Sequence, residues 1–229
     1  LRVAQEEWAM RTFDDRARIF LRFHDALLDR QEEILDLVQL ESGKARKHAL
    51  EEVLDAAIVT RFYAVHAGDI LAPKARKGAL PGLTQAFQYQ HPKGVVGIIS
   101  PWNYPLSMGI TDAIPALLAG NAVLSKPDLH TPFSLLWALD LLVECGLPEE
   151  LMLVVAGAGT ELGPHIIAAS DFVQFTGSTA TGRIIARQAG DHLTGCSLEL
   201  GGKNPMLVLA DADLEAAVAG AVRGAFSSA

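Results

Sequence analysis

Residues 95–105, Val-Val-Gly-Ile-Ile-Ser-Pro-Trp-Asn-Tyr-Pro, decide the fold. The first five are apolar or glycine, which predicts a strand buried on both faces, and two prolines stiffen the turn that follows. Similar apolar runs occur downstream, at 122–124, 151–155, 172–175, 197–200 and 206–209. Helical patterns separate them, at 105–118, 131–145, 161–168 and 178–190. Strands that alternate with helices in this way predict an α/β fold with a parallel sheet and helices on both faces.

The part of the chain before this strand has a different pattern. Apolar residues at helical spacing predict a helical region over 1–67, in which Gly43 ends one helix before a longer one over 45–67. A loop is predicted over 68–83, with the basic residues at 74–77 in a solvated turn. Alternation over 84–93 predicts one exposed strand of a hairpin.

The last predicted element is an amphipathic helix from Asp213 to Ser228, which has no capping Gly or Pro after it. The chain also begins without Met, so both ends are expected to be cut and the domain to be incomplete. We therefore expect a segment of a longer protein, with a helical part at 1–67, a hairpin strand at 84–93 and a Rossmann-like part at 94–229.

Charge and composition exclude several classes of protein. The 229 residues include 19 Lys and Arg and 27 Asp and Glu, for a formal charge of −8. Residues 1–93 hold 14 of each sign, so the whole excess lies in 94–229, which argues against nucleic-acid binding. No apolar run is long enough to predict a membrane span. The two cysteines form no disulfide framework, which indicates a cytoplasmic protein, and no ligand spacing predicts a metal site.

Polar residues that could carry chemistry follow the predicted strands. An amide held rigidly at Asn103 could donate to a developing oxyanion, although an ordinary turn Asn fits equally well. Lys126 could reach a ribose or a phosphate, and Lys-Pro-Asp is also an ordinary turn. Gly177 and the Ser178 hydroxyl open a helix whose free N–H groups suit a pyrophosphate, but the spacing differs from the G-x-G-x-x-G fingerprint.

Glu199 is the remaining candidate, an acid inside an apolar strand and followed by Gly201 and Gly202. Partial burial would let its carboxylate take up and return protons near neutral pH, as a general base does. The alternative is a solvent-facing Glu at a strand end before a Gly-Gly turn.

Together these motifs resemble the aldehyde dehydrogenase superfamily. The resemblance covers essentially the whole chain and rests on four stretches in the same order, at 95–106, 115–121, 175–179 and 198–203, with Glu41-Ser42-Gly43-Lys44 in the helical region. The sequences of residues 102–106 and 112–121 are most similar to those of the succinate-semialdehyde dehydrogenase branch.

The resemblance implies oxidation of a small-molecule aldehyde, with succinate semialdehyde as the candidate, to a carboxylic acid with NAD or NADP. A cysteine thiolate forms a thiohemiacetal and then a thioester, Asn103 holds the oxyanion, and Glu199 activates the water that hydrolyses the thioester. It also implies a homo-oligomer, dimer or tetramer, in which the hairpin strand pairs with a C-terminal domain. The implied coenzyme contacts are Ser100, Pro101, Trp102, Lys126, Gly177, Ser178, Gly182, Leu200 and Gly201.

Three departures from the family's pattern change what is expected. Leu129 stands where the family often has a Glu that grips the ribose of NAD, so NADP is expected to be accepted. Asp112 replaces a common Lys, so the charge balance at the coenzyme phosphates is expected to differ. The nucleophilic cysteine is expected beyond Ala229, because Cys145 and Cys196 do not match it. The chain itself is therefore expected to be inactive, and the alternative is a non-catalytic nucleotide-binding or structural protein.

Overall fold

A computed structural model describes residues 1–80 and 82–227. Four helices come first, α1 (Arg2–Ala9), α2 (Phe13–Asp29), α3 (Gln31–Ser42) and α4 (Arg46–Leu71). A hairpin follows, made of β1 (Lys74–Lys77) and β2 (Gln85–Gln88). The rest alternates, as β3 (Val95–Ile99), α5 (Ser107–Ile110), α6 (Ala113–Leu118), β4 (Ala122–Lys126), α7 (Phe133–Glu144), a 3₁₀ turn (Glu149–Leu151), β5 (Met152–Val154), α8 (Gly159–Ala169), β6 (Phe172–Gly177), α9 (Thr179–Asp191), β7 (Gly195–Leu200) and α10 (Leu214–Phe226).

Five strands form one parallel sheet in the order β5-β4-β3-β6-β7. The chain runs outward from β3 through β4 to β5, then returns to the other side of β3 with β6. The order therefore reverses between β3 and β6, and ligands of open parallel sheets bind at the carboxyl ends of the strands at such a point. The predicted α/β fold is confirmed.

Helices cover both faces of the sheet because its strands are apolar on both. Val96 and Ile98 pack into a large cluster with the buried residues of α2 to α7. Ile99, Val173 and Phe175 face the other way, into a smaller cluster with α8 and α9. The helical region and the sheet thus share one core.

Polar contacts also join the helical region to the sheet part. Gly43 ends α3 with a φ of 72°, a left-handed conformation that suits glycine, and this confirms the predicted helix stop. The turn leaves the Glu41 carboxylate free to accept hydrogen bonds from the backbone N–H groups of Phe133 and Ser134, at 2.6 and 2.7 Å, where α7 begins. Trp8 donates its indole N–H to the Leu117 carbonyl at 2.7 Å.

The predicted turn at 74–77 is wrong. These residues form β1, which pairs antiparallel with β2 so that Lys74 lies opposite Gln88 and Lys77 opposite Gln85. One partner strand of β2, namely β1, thus comes from this chain, and the expected pairing with a C-terminal domain stays a prediction. The turn of the hairpin is closed by the Leu80 N–H, which donates to the Thr84 hydroxyl at 2.9 Å. The strand predicted over 84–93 is shorter and covers only Gln85–Gln88.

Two other element predictions fail for identifiable reasons. The predicted helix over 105–118 is divided into α5 and α6, because Pro115 has no N–H to donate to the carbonyl of Thr111. The apolar run 206–209 is not a strand, since no neighbouring strand pairs with it among the described residues, and all four side chains are exposed.

The predicted helix from Asp213 is α10, while Ser228 lies outside the described residues. None of the helices described is long and apolar enough to span a bilayer.

Candidate active site

Three connected hollows lie along the carboxyl ends of β3, β6 and β7. The first, which we call the acidic cleft, has a volume of about 860 Å³ and is lined by Pro101, Trp102, Asn103, Met108, Thr111, Asp112, Gln174, Thr176, Gly177, Glu199, Leu200 and Gly201. The second, the switch-point cleft, has about 400 Å³ and is lined by Ile99, Ser100, Pro101, Trp102, Lys126, Asp128, Leu129, His130, Gly157, Gly159, Phe175, Thr176, Gly177, Ser178 and Thr181. The third, the apolar groove, has about 490 Å³ and is lined by Ile99, Gly159, Thr160, Gly163, Pro164, Phe175, Thr181, Ile184, Ile185 and Gln188.

The alternation of side chains along β6 and β7 explains why Glu199 faces the acidic cleft. Thr176 lies opposite Glu199 in the parallel register, and both line that cleft. Phe175 and Leu198 point to the other face and pack into the smaller cluster. Glu199 is exposed, so the partial burial expected from the sequence is not provided by the described residues.

Asn103 lies on a turn that is held in place by the buried side chains of Lys44 and Glu52. Its carbonyl accepts a hydrogen bond from the Lys44 Nζ at 2.7 Å, and the same Nζ forms an ion pair with Glu52. Glu52 also accepts from the backbone N–H groups of Leu106 and Ser107, at 3.0 and 3.1 Å. Both side chains of the ion pair are almost completely buried, and the turn is therefore tied to α4 while the Asn103 side chain stays exposed at the cleft.

Glu52 is a residue that sequence reasoning missed. It lies on the buried face of α4 with Ala49, Val53 and Ala56. An acid among apolar residues at helical spacing could have indicated a buried carboxylate. Burial raises the pKa of Glu52, and the hydrogen bonds from Lys44 and the two backbone N–H groups offset only part of that rise.

Asp112 lies in the acidic cleft beside Glu199. Burial raises the pKa of the Asp112 carboxyl, a hydrogen bond with Gln174 lowers it, and the charge of Glu199 raises it again, so that it stands above its ordinary range. Asp112 does not line the switch-point cleft. It lies instead in the cleft that holds Asn103, and its expected effect on the charge balance at the coenzyme phosphates stays a prediction. Sequence reasoning also missed Gln174, although it is a polar residue between Val173 and Phe175 on a buried strand.

The switch-point cleft offers a helix start and a buried cation. Ser178 caps α9, its hydroxyl accepting from the Thr181 N–H at 3.1 Å, and the first N–H groups of a helix have no partner within it. Lys126 is 5% exposed, and its Nζ donates to the Pro127 carbonyl at 2.9 Å. Burial lowers the pKa of Lys126, with the charge of Asp128 opposing that change. Leu129 is exposed at the rim of this cleft.

The structure brings most of the predicted site residues to these clefts. Ser100, Pro101, Trp102, Lys126, Gly177 and Ser178 line the switch-point cleft, and Leu200 and Gly201 line the acidic cleft. Gly182 lines neither. It lies buried in α9, where an added Cβ would stand 2.5 Å from Leu200 Cδ2, so the glycine allows Leu200 to pack against the helix.

The sequence model described as "Aldehyde dehydrogenase family" matches residues 2–229. The chain belongs to this family. It is 50% identical over 228 residues to a Mycolicibacterium smegmatis protein provisionally named succinate-semialdehyde dehydrogenase [NADP(+)], covering 100% of this chain and 44% of that protein. The chain thus spans less than half the length of this relative.

Two solved aldehyde dehydrogenase structures have the same fold. A NAD-dependent benzaldehyde dehydrogenase from Corynebacterium glutamicum superposes with a TM-score of 0.91 at 37% identity, over 98% of this chain and 50% of that one. A succinate-semialdehyde dehydrogenase from Burkholderia pseudomallei superposes with a TM-score of 0.94 at 31% identity, over 99% and 47%.

Neither cysteine of this aldehyde dehydrogenase segment lines the clefts. Cys145 follows α7 and is buried, which raises the pKa of its thiol. Cys196 is half-buried on β7 and packs against the smaller cluster. Within residues 1–80 and 82–227, no group of three or more His, Cys, Asp and Glu side chains could hold a metal ion.

Proposed function

We propose that the protein to which this segment belongs oxidises an aldehyde to a carboxylic acid, with NAD or NADP as the oxidant and water as the second reactant. The observation that carries the proposal is the placement of Asn103 and Glu199 in one cleft, which shares Pro101, Trp102, Thr176 and Gly177 with the switch-point cleft. A bound NAD or NADP would accept a hydride from the aldehyde carbon.

The side chains of this segment supply two of the roles that such a reaction needs. The Asn103 amide donates to the oxyanion that forms when a cysteine thiolate attacks the aldehyde carbon, and it does so without adding a charge. Glu199 takes a proton from the water that attacks the resulting thioester, which releases the acid and restores the thiolate. Because neither Cys145 nor Cys196 lines the cleft, we propose that the nucleophile comes from outside these 229 residues.

The coenzyme fits the two remaining hollows on chemical grounds. The start of α9, capped by Ser178, presents N–H groups to a pyrophosphate. Lys126 stands in the same cleft, where its ammonium can donate to ribose hydroxyls. The apolar groove between α8 and α9 shares Ile99, Gly159, Phe175 and Thr181 with that cleft and suits the flat adenine ring.

Aldehyde-dependent formation of NAD(P)H, followed by absorbance, tests this proposal. We expect turnover by the full-length protein and none by residues 1–229 alone, since the latter lack a thiol at the cleft. Full-length protein that binds NADP but oxidises no aldehyde would favour the alternative, a non-catalytic nucleotide-binding protein. Turnover by residues 1–229 would show that the assignment of the nucleophile is wrong.

We also propose that NADP is accepted at least as well as NAD, because Leu129 places no carboxylate at the rim of the switch-point cleft. Leu129→Glu in the full-length protein is expected to lower kcat/KM for NADP roughly 10- to 100-fold through repulsion of the 2′-phosphate. The effect on NAD should be much smaller.

Leu129→Gln is the matched control for this change, because a glutamine side chain has nearly the same size as glutamate but no charge. It should retain most of the NADP activity. A strong preference of the unaltered protein for NAD, or an equal loss with Gln and Glu, would contradict the role of charge at this position.

Three finer proposals concern the whole protein. The names of two relatives suggest succinate semialdehyde as the substrate. The exposed hairpin of β1 and β2 supports a homo-oligomer, dimer or tetramer, because its strands form a separate sheet to which no third strand of the described residues is paired. The two free cysteines support a cytoplasmic location.

A further inference from the structure

A carboxylate lines the switch-point cleft, although Leu129 adds none. Asp128, the residue before Leu129, is half-buried in the same cleft as Lys126. Burial raises the pKa of Asp128, but hydrogen bonds from the backbone and the ring of His130, with the charges of His130 and Lys126, lower it below its ordinary value. Asp128 is therefore ionised at neutral pH, and a phosphate group that binds in this cleft meets its negative charge.

His130 holds this carboxylate in place. Its backbone N–H donates to Asp128 Oδ1 at 3.0 Å, which closes a turn typical of aspartate, and its ring Nδ1 lies 2.6 Å from the same oxygen. The Thr131 N–H donates to the Asp128 carbonyl at 3.3 Å, and the Thr131 hydroxyl donates to the Trp102 carbonyl at 3.4 Å, so the loop is joined to the turn after β3. The imidazole is 83% exposed and lines the cleft. When it is protonated, its charge offsets that of Asp128.

We propose that His130 allows the switch-point cleft to accept the 2′-phosphate of NADP, because its imidazolium neutralises the Asp128 carboxylate that would otherwise repel that phosphate. The inference rests on the proposed function and concerns how the same site selects its coenzyme. NAD has a hydroxyl in place of the phosphate, so the pair affects its binding little. The role of His130 differs from that of Leu129, which only avoids a second carboxylate at the rim of the cleft.

His130→Gln in the full-length protein tests the role of this charge. Glutamine has a hydrogen-bonding amide but no charge, and an exposed ion pair contributes little to stability, so the variant should fold normally. At about pH 6, where histidine side chains in water are mostly protonated, we expect the dissociation constant for NADP to rise roughly three- to tenfold. The constant for NAD should change less than about twofold, since NAD has no phosphate for Asp128 to repel. Isothermal titration calorimetry without an aldehyde measures both constants.

Asp128→Asn distinguishes neutralisation of Asp128 from a direct contact between His130 and the phosphate. Asparagine keeps an oxygen that can accept the His130 backbone N–H, so the turn should survive. The double variant with His130→Gln and Asp128→Asn lacks both charges, and its dissociation constant for NADP should return to within about twofold of that of the unaltered protein. His192→Gln is the control for net charge. His192 is exposed after α9 and lines none of the three hollows, so this change should leave both constants as they are.

The outcomes separate this inference from the proposed function. A His130→Gln variant that binds NADP as tightly as the unaltered protein would overturn the inference, and so would a double variant that binds NADP as weakly as His130→Gln alone. A full-length protein that oxidises an aldehyde with NAD but binds no NADP would also overturn it, while leaving aldehyde oxidation in place. Failure to bind either coenzyme would overturn the proposed function, and the inference with it.

Discussion

Asn103→Ala lowers kcat of the full-length protein about 10²- to 10³-fold in our expectation, with a much smaller change in KM for the coenzyme. A donor that is aimed at the developing oxyanion has an effect of this size in a site from which water is partly excluded. The turn itself should survive, because the contact that anchors it uses the Asn103 carbonyl and not its side chain. Steady-state formation of NADPH measures the effect.

Asn103→Asp distinguishes the loss of the amide hydrogen-bond donor from the loss of side-chain volume. It is nearly the same size, but an ionised carboxylate has no hydrogen to donate and repels an oxyanion, so the loss in kcat should be at least as large as with alanine. NADP binding by both variants, followed by Trp fluorescence, should remain close to that of the unaltered protein. If Asn103→Ala retained most of its kcat, Asn103 would be an ordinary turn residue, the alternative that its sequence context leaves open.

The fold could be predicted from the sequence mainly where apolar residues alone decide it. The five strands from β3 to β7 were each indicated by a short apolar run. Strands of a parallel sheet that is buried on both faces have this continuous apolar pattern. The hairpin was only half predicted, because Lys74–Lys77 has no apolar alternation and its pairing depends on the turn that Leu80 and Thr84 close. The run 206–209 has a strand's composition, but composition does not supply a neighbouring strand.

The candidate site was predictable to the extent that its residues follow strands. The carboxyl ends of parallel strands meet at one edge of the sheet, so Asn103, Lys126, Ser178 and Glu199 could be expected at the same edge. The position of Asp112 could not be derived in this way, since it follows a short helix whose length and direction the sequence leaves open. The contacts of Glu52 with Leu106 and Ser107 span more than 50 residues of sequence, and no local pattern encodes them.

Glu52→Gln is expected to destabilise the chain by about 3–5 kcal/mol, as measured by urea denaturation of the full-length protein. The change leaves the Lys44 ammonium buried with a neutral partner. The free energy lost by leaving a buried charge without a counter-charge is larger than the net stabilisation that the intact ion pair provides. Because burial raises the pKa of Glu52 despite three hydrogen bonds, the ion pair is not itself a strong source of stability. The loss therefore comes from breaking the pair.

Two comparisons test that explanation. The double variant with Lys44→Met and Glu52→Gln should be less destabilised than the sum of the single changes, since it removes both charges together. Arg46→Met removes a cation from the exposed pairs with Glu32 and Asp36, only two residues from Lys44, and should change stability far less. A Glu52→Gln variant as stable as Arg46→Met would contradict the role of burial.

The double variant also separates stability from catalysis. It removes the ammonium that holds the Asn103 carbonyl, while the glutamine oxygen can still accept from Leu106 and Ser107. If the ion pair positions the oxyanion donor, kcat should fall well below that of the unaltered protein even under conditions where the variant is fully folded, and KM for NADP should change little. A folded double variant with unchanged kcat would restrict the ion pair to joining α4 and the sheet.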